Sequence, residues 1–400
     1  VNGKFVIREV RTTQVDEVDV FDDSEDPEAE FIPGLAVAGD FTCDRLTCDG
    51  GQLTCEPTGT ITCPEFNLAN SICTVDGTIT GGGPLLVFTV TGGSIDGNGL
   101  IQGDLQLVGD AVLSPGSSPG TLTVNTLTMG GGTTYTWEVS DFAGTEGVTT
   151  DLVENNGNLV LTGTVADPVT IRPVTLDAAG NPGLAANWDP VKAGQWLLVR
   201  NAGSISGFSP DTVVVDAGGV ANPPFGGRFD VAVDGTDLVL RYTPSDFAIW
   251  QAAEFPDSAD RAAGAAGDLA SDPDRDRLPN LIEYALGTDP RGSGPFTPLL
   301  VELTGSGASR TATATFPRRP TANDLHLILE VSDDLSPSGW STLAESLRGA
   351  PATGEGGLVI GEFGTDPLTV TVDNIAAPES GPGQYFRLLA EQRPLLPPGP

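Results

Sequence analysis

The chain has one histidine, His326, two lysines, Lys4 and Lys192, and a single methionine in 400 residues. That scarcity removes most zinc and nucleophile–base chemistries, which need imidazole or amine groups beside other ligands or nucleophiles. Basic side chains number 19 against 54 acidic ones, a formal charge of −35. With no cationic face to exchange for phosphate counterions, nucleic acid is not an expected partner, and neither is anionic lipid. Long apolar runs are missing as well. The longest, such as 84–90, are strand-sized against the roughly 20 residues of a membrane helix, so no span is expected. What is plentiful is glycine (52) and proline (32), and the 39% of hydrophobic residues recur in strand rhythm rather than in the sparse pattern of a disordered chain. The length allows two or three domains.

Four parts follow one another, with a short tail. Residues 1–35 hold the alternating stretch Lys4-Phe5-Val6-Ile7-Arg8-Glu9-Val10, then an acidic run in which nine of the fifteen residues from Asp16 to Glu30 are Asp or Glu. A strand on a self-repelling tether is an edge strand beside a solvated loop, or it completes a sheet in a second copy of the chain through Phe5, Val6, Ile7 and Val10. Residues 36–245 carry a degenerate repeat: Phe41-Thr42-Cys43, Leu46-Thr47-Cys48, Leu53-Thr54-Cys55, Ile61-Thr62-Cys63, Ser71-Ile72-Cys73, and later Leu105-Gln106-Leu107 and Leu122-Thr123-Val124. Brief period-two pieces parted by Gly, Asp or Asn predict a mainly β fold, a parallel β-solenoid of stacked rungs, with an antiparallel sandwich as the alternative. Residues 246–296 are expected to be a helical linker. Residues 297–393 return to strands and predict a small antiparallel β-sandwich, followed by a Pro-rich tail at 394–400.

The segment Leu113-Ser114-Pro115-Gly116-Ser117-Ser118-Pro119-Gly120-Thr121-Leu122-Thr123-Val124 resembles the signature of autotransporter-associated β-strand repeats, found in large secreted bacterial surface proteins. The resemblance covers roughly 36–243. It implies a β-helix-like shaft and an extracellular or cell-surface location. The chain opens at Val1 without a charged-then-apolar leader, so the export signal is expected to lie outside it.

One motif carries chemistry. Residues 272–283 match a twelve-residue calcium loop: Asp272, Asp274 and Asp276 at positions 1, 3 and 5, the Leu278 carbonyl at 7, Asn280 at 9 and Glu283 at 12. Alternate side chains of a curling loop converge on one point, and a carboxylate in the next helix reaches back to close it. The continuation Asn280-Leu281-Ile282-Glu283-Tyr284-Ala285-Leu286-Gly287-Thr288-Asp289-Pro290 resembles dockerin-like and thrombospondin type 3-like calcium segments of secreted bacterial proteins. Position 6 departs from the pattern, with Arg277 in place of glycine. A positive φ there would cost about 1–2 kcal/mol and set the affinity at roughly 10⁻⁴–10⁻³ M, as in extracellular modules.

The remaining signals are weaker. Cys43, Cys48, Cys55, Cys63 and Cys73 are an odd set that cannot all pair within one chain. They form a ladder of small buried residues or include disulfides between strands. His326 alternates with leucines and belongs to a strand. Exposed rings at Trp188, Trp196 or Trp340 would favour a polysaccharide partner; packed ones would be core. These readings add up to a non-enzymatic extracellular structural protein, a surface filament or adhesin-like subunit that binds calcium and its own copies. The alternative is a polysaccharide-binding accessory protein or a β-helix polysaccharide lyase or hydrolase.

Overall fold

The computed structural model describes residues 4–7, 14–21, 34–81, 87–224, 226–294, 296–306, 309–356, 358–376, 383–393 and 395. Alternation decides the first half of the chain. In Asp40–Asp49, Phe41, Cys43, Leu46 and Cys48 are buried, and in Thr121–Gly130 Leu122, Val124, Leu127 and Met129 are. Their threonine, asparagine and aspartate neighbours face outward. Like then stacks on like across parallel ladders: Leu53 lies opposite Cys73, Phe66 opposite Phe88, and Cys73 opposite Ile95. The Phe66 and Phe88 rings meet at a centroid distance of 4.3 Å, tilted by 58°, a close aromatic contact within the core.

The β-solenoid expected for 36–245 is corrected by these pairings. Among the described residues, twenty-one strands belong to one hydrogen-bonded sheet, a closed parallel barrel with extra strands rather than a solenoid. Long strands join its ladders. Val87–Gly97 pairs with Leu100–Val108 through its first half and with Val112–Pro115 through its second. It turns between them at Gly92 and Gly93, both at positive φ, and a Cβ on Gly93 would sit 2.1 Å from the Ser71 carbonyl oxygen. The far end is not parallel at all: Asp237–Thr243 pairs antiparallel with both Gly194–Asn201 and Arg228–Asp234. Period-two patterning specifies which face points inward, but not where a strand bends from one partner to the next.

The sheet also includes segments assigned by sequence to a separate tether. Lys4–Ile7 pairs in parallel with Gly34–Val37, Phe5 opposite Leu35, and Gln14–Phe21 pairs with Asp40–Asp49. The strand considered for exchange between copies therefore has a partner in its own chain. Val10, the whole of the acidic run beyond Phe21, and all of the tail except Leu395 lie outside the described residues.

All five cysteines are free thiols with at most 1% exposure, in one core with Leu46, Ile61 and Phe66. Burial pushes the Cys55 thiol up to about 11 and the Cys73 thiol well above its ordinary value. Cys63 goes the other way, lowered by its hydrogen bond with Cys43, but reaction also needs access and all five are buried, so a water-soluble maleimide should label none of the five in the native protein and all five in denaturant. Intact mass after each treatment checks this, and fewer than five adducts after unfolding would reveal a disulfide.

A second core lies C-terminal. Leu300–Thr304, Thr311–Arg318, Leu368–Ala376 and Val359–Gly364 make one antiparallel sheet, and Thr353–Gly354, Trp340–Leu347, Leu325–Ser332 and Tyr385–Gln392 make another. Phe316, Val370 and Val372 of the first share a hydrophobic cluster with Leu327 and Leu329 of the second. Two helices complete it: α1 (Asp246–Glu254) brings Phe247 and Trp250, and α2 (Asn280–Leu286) brings Leu281, Tyr284 and Leu286. His326 lies on the second sheet, its Nε2 2.8 Å from Glu345 Oε2.

Candidate metal centre

The loop at 272–279 is anchored at both ends by the backbone. Asn280 N donates to the Ser271 carbonyl at 2.9 Å and Leu281 N to that of Leu269 at 3.0 Å, which brings the start of α2 back against the loop entrance. Pro279 precedes the helix in extended conformation, and Gly287 ends it in the left-handed region at φ 73°. Leu281, Tyr284, Ala285 and Leu286 are buried, so core packing fixes the helix and with it the direction of Glu283.

Within the loop, side-chain oxygens accept from the backbone and curl it. Arg277 N donates to Asp272 Oδ2 (2.9 Å), Asp276 N to Asp274 Oδ1 (3.2 Å) and Leu278 N to Asp276 Oδ1 (2.8 Å). The curl needs left-handed backbone twice, at Arg275 (φ 65°) and Arg277 (φ 78°). Each places an L side chain where it costs about 1–2 kcal/mol. The strain inferred for Arg277 is thus present, and a second instance at Arg275 had no signal in the spacing. Both arginine side chains are exposed.

The result is a convergence of carboxylates. Asp272, Asp274 and Asp276 each offer an oxygen within 4.8 Å of the others. Glu283 is fully buried, with Oε1 accepting from Thr288 Oγ1 at 3.3 Å. Its Oε2 has no hydrogen-bond partner, and neither have Asp272 Oδ1 and Asp274 Oδ2. Burial first, and then the charges of Asp274, Asp276 and Asp272, push the Glu283 carboxyl up to about 7; burial and the neighbouring carboxylates raise Asp274 as well. Buried acceptors left unpaired beside like charges are costly. A hard divalent cation, which takes oxygen ligands and supplies the missing charge, relieves both problems at once.

The other expected ligands are placed as follows. Asn280 is buried; its Nδ2 donates to the Ala266 and Asp268 carbonyls at 2.8 and 2.7 Å, and its Oδ1 is unpartnered. Its amide group therefore secures the preceding turn, a role not visible in the spacing. Leu278 contributes its amide directly, through the bond to Asp276. One other carboxylate is strongly perturbed. Burial raises Asp151 to about 8, but both its oxygens are engaged, accepting from Gly120 N (2.9 Å) and Glu138 N (2.8 Å). Each oxygen is thus already committed to a backbone amide of a neighbouring segment. No family model, curated protein or solved structure matches the chain.

Proposed function

We propose that this chain is a non-enzymatic structural protein of the extracellular space whose C-terminal core is locked by a calcium ion at residues 272–283. The observation that carries the reading is Glu283: a carboxylate buried on a packed helix, with an oxygen lacking any partner and a carboxyl that feels the charges of all three loop aspartates, two of which also have an unpaired oxygen. Asp272, Asp274, Asp276 and Glu283 would supply the charge, and Asn280 Oδ1 is a further buried acceptor without a partner. The exposed cations Arg275 and Arg277 in the same loop support an affinity in the weak class, which suits the high calcium levels outside cells rather than a cytosolic sensor. Because Glu283 shares α2 with core residues, the ion would act as a structural tie.

Calorimetric titration tests the assignment. Calcium should bind with one site and a dissociation constant of about 10⁻⁴–10⁻³ M. Glu283→Gln or Asp274→Asn should abolish measurable binding. Arg277→Gly should raise stability by about 1–2 kcal/mol both with and without calcium, because the left-handed backbone is already present without the ion. Retention of full affinity by Glu283→Gln would remove the site.

A further inference from the structure

A second feature, independent of the calcium loop, lies on the large sheet. The segment running into Gly194–Asn201 faces the loop at 142–143 across an open cleft of about 340 Å³, within the size range of small-ligand sites. Three rings form one wall. Phe142 sits between Trp188 and Trp196, with centroids 4.7 and 4.9 Å away. Trp188 in turn packs on Phe229 and edge-on against Tyr242. Each indole N–H already has a partner: Trp196 Nε1 donates to the Phe142 carbonyl at 2.8 Å and Trp188 Nε1 to that of Pro223 at 3.1 Å. The rings are therefore fixed in direction, half-buried rather than sealed, and what they still offer is carbon surface. Gly194 makes room for this, since a Cβ there would meet the Trp196 ring at 2.2 Å.

The rest of the lining is polar. Lys192, one of only two lysines in the chain, lies exposed on the cleft; among the described residues its ammonium has no carboxylate within ion-pairing distance. Asp189 lies beside it, one oxygen accepting from Val191 N at 3.2 Å. An ammonium with three donors and a carboxylate oxygen next to rigid aromatic carbon match one ligand class well: a pyranose, with its C–H face and its rim of hydroxyls. The local charges of Lys192 and Asp189 cancel, and the chain as a whole carries −35, which disfavours a polyanion.

We infer that the cleft at Phe142, Trp188 and Trp196 is a binding site for a neutral saccharide, gripped by the ring wall and hydrogen-bonded by Lys192 and Asp189. The test is titration calorimetry of the full chain with glucan, xylan, mannan and galactan hexasaccharides, and with oligogalacturonate as a charged probe. At least one neutral hexasaccharide should bind with a dissociation constant of about 1 mM or tighter, with no change in high salt. Trp196→Ala should weaken binding by at least about tenfold. Because that ring also packs, Lys192→Met and Asp189→Asn provide surface variants whose unfolding midpoint stays put while affinity falls several-fold. The inference is overturned if no neutral hexasaccharide binds at about 10 mM, if all three variants bind as the parent does, or if only oligogalacturonate binds and salt abolishes it.

Discussion

Calcium at about one hundred times its dissociation constant should stabilise the C-terminal core by about 2.7 kcal/mol, a rise of about 5–10 °C in its unfolding midpoint for a unit of this size. The gain should vanish in Glu283→Gln. The sign of the variant's effect without calcium makes the prediction specific. Three carboxylates then crowd the loop, and their charges act on the fully buried Glu283 with its bare oxygen. An isosteric amide at 283 removes the charge they act on, so in chelator the variant should be as stable as the parent or more so. A mutation that merely damaged packing would lower stability in both conditions. Differential scanning calorimetry of both proteins in calcium and in chelator separates the two outcomes, and a calcium-independent loss would refute the tie.

The route from ion to fold is short. Tyr284, the residue after Glu283, donates its hydroxyl to Asp324 Oδ1 at 2.8 Å, and Asp324 Oδ2 accepts from Phe247 N at 2.8 Å. Arg319 Nε reaches the Tyr284 carbonyl at 3.0 Å, and Arg319 N that of Ala285 at 2.8 Å. Fixing Glu283 thus fixes α2 against the start of α1 and the end of Thr311–Arg318. The effect should be confined to this core. None of these bonds enters the large parallel sheet, whose packing rests on its own ladders.

Which parts of this were legible from residues alone follows from the range of the forces involved. The spacing of the aspartates at 272, 274 and 276 is local, so their convergence could be read directly; Glu283's burial comes from Leu281, Tyr284 and Leu286 packing on distant strands and could not. Inward faces such as Phe66, Leu68, Phe88 and Val90 follow from alternation. The closing of the sheet does not, because it depends on bends such as that at Gly92–Gly93 and on the antiparallel return at Asp237–Thr243. Five buried thiols fit the ladder reading of the Leu-Thr-Cys phrases, in which cysteine stands where valine stands in Leu122-Thr123-Val124. Trp340 has a cover that no local pattern announces, the Arg387 guanidinium at 3.9 Å from its ring.

Replacing Glu362 by glutamine should destabilise the protein by about 3 kcal/mol at pH 7. Arg318 and Glu362 stand on strands that flank Leu368–Ala376 on opposite sides, and they meet across it. Arg318 Nε lies 2.7 Å from Oε1 and Nη2 2.9 Å from Oε2, with the Arg318 side chain only 3% exposed. Oε1 also accepts from Ala352 N at 2.9 Å. Glutamine preserves shape but leaves a buried guanidinium without its counter-charge, the more damaging way to break such a pair. The Arg318 hydrogen bonds hold the Glu362 carboxyl below its usual range. A carboxylate with a depressed folded pKa stabilises fully above its unfolded value, near pH 4.3, and loses that contribution as pH falls through the folded one. The parent's advantage over Glu362→Gln should therefore be whole at pH 7 and shrink below about pH 4, as urea denaturation at several pH values would show. An advantage constant with pH would mean that packing, not charge, holds the strands here. Replacing both residues by methionine should recover most of the loss, since neither charge is then left buried alone.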